Sequence, residues 1–317
     1  MHKSHKTPLS RMILPACVTA TCLLTTVPAA TAESERPKLE KSDLKKLRKQ
    51  AANRPRRIVY NDDGCHGPSR NTPQELLDCR VRQVTDTQVD TICYCTGGGG
   101  LFWAHQPNVG EVLGASVEEG HAPYVKQMRD GLIAMKKQGT DPLAVVVEHG
   151  HKHEMEVFWS YRMNNPECSF VSWALSKRKR NNPQYIMGVQ ADWKKYALTD
   201  PKAWWTLSDF ERAEVREHIV RIFEDVCQRY DIDGVELDFI RHPLFFRPNL
   251  EGKPAEPRHI EMMTEMVRRI RAVTERESIK RGRPILVTIR APLSVKSCLD
   301  IGLDMGAYLE EDLVDIL

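Results

Sequence analysis

The sequence predicts an α/β fold of the (β/α)8 barrel type, incomplete, with about six strands present. Three observations predict it. Strand-like and helix-like patterns alternate from residue 58 onward, which implies right-handed parallel β-α-β units. Several strand patterns carry polar residues on one face near their carboxyl ends, where barrel enzymes place their sites. No strand runs into Gly-x-Gly-x-x-Gly and then directly into a helix, as a nucleotide-binding sheet would. The four glycines at 97–100 lead instead into Leu101-Phe-Trp103 and lack the lysine of a phosphate loop.

Each element has its own signal. Ile58–Tyr60 reads as the first strand and runs into Asn61-Asp62-Asp63-Gly64; Asp90–Cys95 is the second. Tyr124–Gln138 sets Val125, Met128, Leu132 and Met135 at helical spacing and stops at Gly139. Pro142–His153 reads as a helix feeding the strand Glu156–Arg162. Ser208-Asp-Phe-Glu211 has the form of a capping box, and the helix after it places Val215, Ile219, Ile222, Phe223 and Val226 on one face. The strand Gly234–Ile240 follows at once. Ile260–Lys280 is a second amphipathic helix, Pro284–Arg290 a further strand, and Leu313–Leu317 the start of a sixth. Residues 163–233 hold a large insertion. A sequence that stops inside an apolar strand leaves sheet edges unpaired and reads as a C-terminally incomplete barrel.

Charge and leader divide the chain into three parts. Lys3, Lys6 and Arg11 precede the apolar stretch Met12–Val27, and small residues close it at Ala30 and Ala32. This order describes a secretory signal peptide over residues 1–32, too short and too broken by Pro15 for a bilayer span. Export to a secreted or periplasmic location follows, with no membrane contact after cleavage. Residues 33–57 carry ten basic residues against four acidic and read as a basic linker, a solvated helix or tether. The barrel body, 58–317, has six more acidic than basic residues, so it offers no broad footprint for nucleic acid. Seven cysteines remain after cleavage, an odd number, and most read as small buried residues; Cys93 and Cys95 are too constrained to pair with each other.

Alternation along the strands locates the chemistry. In Gly234-Val-Glu-Leu-Asp-Phe-Ile240, Val235, Leu237 and Phe239 share the helix-facing side, and Glu236 and Asp238 share the interior. Buried acids are costly unless paired or used. The preceding strand directs Ser160, Arg162 and Asn164 to one face, and the next directs Thr288 and Arg290 together, so Arg162 and Arg290 flank the acids. Asp238, nearer the mouth, suits a nucleophile or charge-stabilising carboxylate held ionised by arginines. Asp238 and Glu236 are therefore the catalytic candidates. Asp62, Asp63, Trp103, Arg162, Asn164, Arg241, His242 and Arg290 are the substrate-binding candidates, although a turn-forming Asx cluster accounts for Asn61, Asp62 and Asp63 equally well; Trp103 is the main aromatic platform, with Trp193, Trp204 and Trp205 further indoles outside the strands. The guanidinium excess points to an anionic ligand, such as a uronate-containing or sulfated glycan. No cofactor and no metal site is assigned. A metal-dependent hydrolase using His149 and His153, one helical turn apart, is an alternative, although a third ligand is not evident and a solvated helix end explains the histidines as well.

Tyr230-Asp-Ile-Asp-Gly-Val-Glu-Leu-Asp-Phe-Ile-Arg-His-Pro243 resembles the fourth strand of glycoside-hydrolase-like barrels, including the α-amylase superfamily and glycoside-hydrolase-like family 10. Phe158-Trp-Ser-Tyr-Arg-Met-Asn164 is similar to a third strand in that group. The resemblance implies a TIM barrel acting on a carbohydrate, either by O-glycosyl hydrolysis or as a non-catalytic binding barrel, with Asp238 in the place of the α-amylase nucleophile. That pattern also has a general acid at the end of strand five, where this chain has Thr288-Ile-Arg-Ala-Pro292 and no acid.

Overall fold

The computed structural model describes residues 39–65, 70–115, 123–166, 175–189, 194–197 and 199–317. The leader, His66, Cys168 and Trp193 lie outside the described residues.

Five parallel strands pair in the order β1 (Ile58–Asp62), β2 (Val89–Gly98), β5 (Glu156–Arg162), β6 (Gly234–Asp238) and β7 (Leu286–Arg290). Two short strands, β3 (Leu101–Phe102) and β4 (Glu111–Val112), fold back at the end of β2, where the glycine run makes an antiparallel turn. Residues 313–317 join β7 through the parallel bridge Thr288–Ile316, with Asp315 N–H on Val287 O at 2.8 Å and Ile289 N–H on Ile316 O at 3.1 Å. Among the described residues β1 and this last segment are not paired, and the barrel is not closed.

The described residues hold ten helices: α1 (Lys41–Ala52), α2 (Pro73–Arg80), α3 (Pro123–Lys137), α4 (Pro142–Lys152), α5 (Lys177–Asn181), α6 (Ala213–Arg229), α7 (Arg247–Leu250), α8 (Pro257–Arg281), α9 (Val295–Asp300) and α10 (Met305–Glu310). Of these, α4, α6 and α8 cover the outer face, while α1 packs Ala51 against the interior residues Cys93, Phe158 and Leu286. Pro142 opens α4, with Asp141 capping Ala144 N–H at 3.0 Å, and Gly282 in the left-handed region ends α8. Alternation puts Val157, Trp159, Tyr161, Val235, Leu237, Val287 and Ile289 into one apolar layer against α4, α6 and α8. No helix among the described residues is long and apolar enough to cross a membrane.

Two local expectations are corrected. The capping box at Ser208–Glu211 does not form; α6 starts at Ala213 behind Arg212, which makes no side-chain cap. Both backbone groups of Ser208 are instead bonded to the Asn164 side chain. The basic segment before β1 holds the helix its sequence allows, but that helix is not simply solvated. Residues 41–52 form α1, which packs on α8 and β7 with Leu44 and Arg48 buried. Arg48 donates to Asp315 Oδ1 (3.1 Å), Glu275 Oε1 (3.0 Å) and Asp312 O (2.9 Å).

Candidate active site

The sheet register assembles the interior rows that alternation predicts. Ser160 pairs with Glu236 and Glu236 with Thr288; one step toward the mouth, Arg162 pairs with Asp238 and Asp238 with Arg290. Gly98 lies opposite Arg162 in β2, and a Cβ there would come within 2.7 Å of Arg162 Cβ, so glycine is what lets the guanidinium lie in the row.

Asp238 is held at both oxygens. Oδ1 accepts the backbone N–H groups of Ile240 (3.0 Å) and Arg241 (3.1 Å), and Oδ2 accepts Arg290 Nη1 at 3.1 Å. Asp63 stands at the end of β1 with its side chain 56% exposed, and its Oδ1 lies 2.8 Å from Arg162 Nη2. Burial alone would raise the Asp63 carboxyl, but the Arg162 hydrogen bond and the charges of Arg162, Arg241 and Arg80 outweigh it and hold the group below the usual carboxylate range. Carboxylates and guanidiniums thus alternate across the mouth: Asp63, Arg162, Asp238, Arg290.

Glu236 lies one layer deeper. Its Oε1 accepts Ser160 Oγ (2.6 Å) and Asn61 Nδ2 (3.0 Å), and the Cys93 thiol also bonds to the carboxyl. Burial pushes its pKa up, with the Ser160 bond and the Arg290 charge opposing. A raised carboxyl costs the fold stability once the pH exceeds the unfolded value of about 4.3, because the unfolded chain ionises first. Below that pH the group is neutral in both states and the cost vanishes. Glu236→Gln keeps the acceptor for Ser160 and Asn61 and should stabilise the protein at pH 7, with the gain shrinking toward pH 4. Urea unfolding of both forms across that range checks it; a gain independent of pH would refute the assignment.

Several candidates sit elsewhere. Asp62 faces the helix side of β1, where it accepts Gly64 N–H (2.7 Å) and Tyr60 Oη (3.2 Å), with Arg80 Nε at 3.8 Å. It secures the turn rather than a substrate, and Gly64 at φ +64° passes so close to Cys95 O that a Cβ would lie 2.0 Å away. Trp103 is 1% exposed, with its Nε1 on Asp63 O at 3.1 Å and the Arg162 guanidinium 5.0 Å above its ring. It supports Arg162 and offers no face to a sugar. The Asn164 amide is fully engaged, donating to Ser208 O (3.1 Å) and Leu244 O (2.7 Å) and accepting Ser208 N–H and Asn165 N–H, so it clamps two loops. Arg241 and His242 remain at the rim. His242, at φ 72°, has its pKa pushed down to about 4 by burial and then by the Arg241 and Arg162 charges.

His149 and His153 end α4, which feeds the amino end of β5, at the opposite end of the strands from the mouth. His149 Nε2 lies 2.8 Å from Thr85 Oγ1, and the two rings pack 4.4 Å apart. Among the described residues no three His, Cys, Asp or Glu side chains are grouped to hold a metal ion. Sequence reasoning read Cys93 as a small buried residue, Asn61 as a ligand or turn residue at the end of the first strand, and Ser160 as an interior neighbour of Arg162, none of them as a partner of Glu236. Their interior facing was available from alternation, but their convergence on Glu236 needed the strand order.

Residues 119–249 match the family Glycosyl hydrolase-like 10. The match includes β5 and β6, hence Arg162, Glu236, Asp238, Arg241 and His242, while Asp63 and Arg290 lie outside it. It supports the glycoside-hydrolase-like barrel superfamily. No curated protein matches the chain. Among solved structures the chain is similar to a family 18 N-acetylglucosaminidase from Paenibacillus barengoltzii, at 13% identity over 83% of this chain and 52% of that one, TM-score 0.38. It is also similar to an α-L-fucosidase isoenzyme from Paenibacillus thiaminolyticus (15% identity, 75% and 33% coverage, TM-score 0.41) and an α-galactosidase from Thermus thermophilus (13%, 83% and 43%, TM-score 0.37). The chain spans about half or less of the length of these structures.

Proposed function

We propose that this is an exported glycoside-hydrolase-like protein acting on a carbohydrate, with Asp238 as principal carboxylate and an anionic glycan as ligand. The observation that carries the reading is the Arg162–Asp238–Arg290 row at the carboxyl ends of β5, β6 and β7, with Asp63 and Arg241 beside it. The family match over β5 and β6 supports it. Three guanidinium groups against the carboxylates of Asp63 and Asp238 favour an anionic partner. A screen of glycans for reducing-end release, run beside Asp238→Asn, tests the activity; release that survives the substitution removes Asp238 from the mechanism.

A second reading, a carbohydrate-binding barrel without turnover, is favoured by the state of the acids. Glycoside hydrolysis needs a proton donor at the leaving oxygen. Asp63 is held below the usual carboxylate range, and Glu236, whose pKa is raised, is only 5% exposed. Binding in the same screen without release would select this reading.

Export rests on the leader. The mature chain should begin at Glu33 and be recovered outside the cytoplasm; N-terminal sequencing that finds Met1 on a cytoplasmic pool refutes it.

A further inference from the structure

With Trp103 buried, the mouth has another indole. Trp204, in the insertion before α6, is half-buried and packs edge-on against His242, ring centroids 5.0 Å apart at 84°. His242 follows Arg241 in the turn after β6, closed by Leu244 N–H on His242 O at 2.8 Å. His242 takes a left-handed backbone, φ 72°, a conformation that histidine adopts more readily than most side chains and that turns the ring away from the strand direction. Arg241 is exposed. Its backbone N–H bonds to Asp238, but its guanidinium has no side-chain partner among the described residues. Arg162 and Arg290 differ, each facing a carboxylate.

We infer that Arg241, His242 and Trp204 form a subsite for an acidic sugar on the rim of the mouth, with Arg241 receiving the carboxylate of a uronate residue. The inference rests on the carbohydrate reading above and deepens it by naming the residues that select charge. A guanidinium already paired gains little from a second anion, whereas an unpaired one offers its full fork to a carboxylate. The imidazole beside it is neutral at pH 7, so it can both donate to and accept from sugar hydroxyls. The indole supplies an apolar surface to the C–H face of the ring. Asp238, three residues before Arg241, then faces the sugar held there.

Calorimetric titration of the full exported chain with a galacturonate tetramer, and with the same tetramer after reduction of its carboxyls to alcohols, tests this at low and at high salt. The wild type should bind the charged tetramer about tenfold or more tightly than the reduced one at low salt, as a charge-assisted hydrogen bond requires. Arg241→Gln, a surface change, should bring that preference to within about twofold, with most of the loss in affinity for the charged tetramer. Trp204→Ala, with folding checked by circular dichroism, should weaken both tetramers alike. A preference that survives Arg241→Gln, or unaltered binding by Trp204→Ala, overturns the subsite while the carbohydrate reading stands on the binding itself. If the wild type binds neither tetramer, the subsite is overturned, and the glycan-release screen judges the carbohydrate reading separately.

Discussion

Asp238→Asn should lower glycan release by about three to four orders of magnitude, as removing a single catalytic carboxylate does elsewhere. The fold should barely register the change. Asparagine keeps an Oδ1 that accepts the Ile240 and Arg241 N–H groups, so the turn after β6 is preserved. What disappears is the charge facing Arg290, whose side chain is 40% exposed and can be solvated in place of its lost partner. A stability cost of about 1 kcal/mol follows, because the group left without its partner, Arg290, is the part-exposed member of the pair, although Asp238 itself is buried. Steady-state rates on whichever glycan the screen identifies, together with urea midpoints, separate the two effects. A tenfold loss of rate with a large loss of stability would mean that Asp238 is a structural acid.

Arg48→Ala should destabilise the protein by about 3–5 kcal/mol, the usual cost of removing one partner from a buried ion network. The Arg48 side chain is 4% exposed, and its guanidinium meets Glu275, Asp312 and Asp315. Asp315, equally buried, also accepts Arg271 Nη2 (2.7 Å) and Val287 N–H (2.7 Å), so the network ties α1 and α8 to the segment beside β7. Alanine leaves those acids short of a counter-charge. Lysine, a point charge without the planar fork, should recover only part of the loss. The pH dependence has a definite sign. Burial would raise the Asp312 carboxyl, but the Lys45 hydrogen bond and the charges of Arg48 and Lys45 lower it overall. A lowered carboxylate stabilises the fold above its unfolded pKa of about 3.9 and loses that contribution as the pH falls through its folded value. The Arg48→Ala deficit should therefore be fullest near neutrality and narrow below about pH 4. An unchanged urea midpoint at pH 7 would show α1 to be a detachable tether after all.

Which side chains of β5, β6 and β7 face the interior was legible in local periodicity alone. In β5, β6 and β7 successive Cβ atoms must point to opposite faces, so Ser160, Arg162, Glu236, Asp238, Thr288 and Arg290 were placed together before any contact was known. The class of fold came from the same local periodicities. Only the tertiary structure decided which polar groups were free. Trp103, Asn164 and Asp62 have the right chemistry for a sugar site, but each is consumed by a partner distant in sequence or by its own turn: Trp103 by Arg162, Asn164 by Ser208 and Leu244, Asp62 by Gly64 and Tyr60. The basic run 41–52 reads as solvated because its charges outnumber its apolar residues, yet three distant carboxylates make burying Arg48 favourable. A strand's periodicity is fixed by its own backbone, whereas the burial of a loop side chain or a lone arginine depends on which remote segments come to meet it.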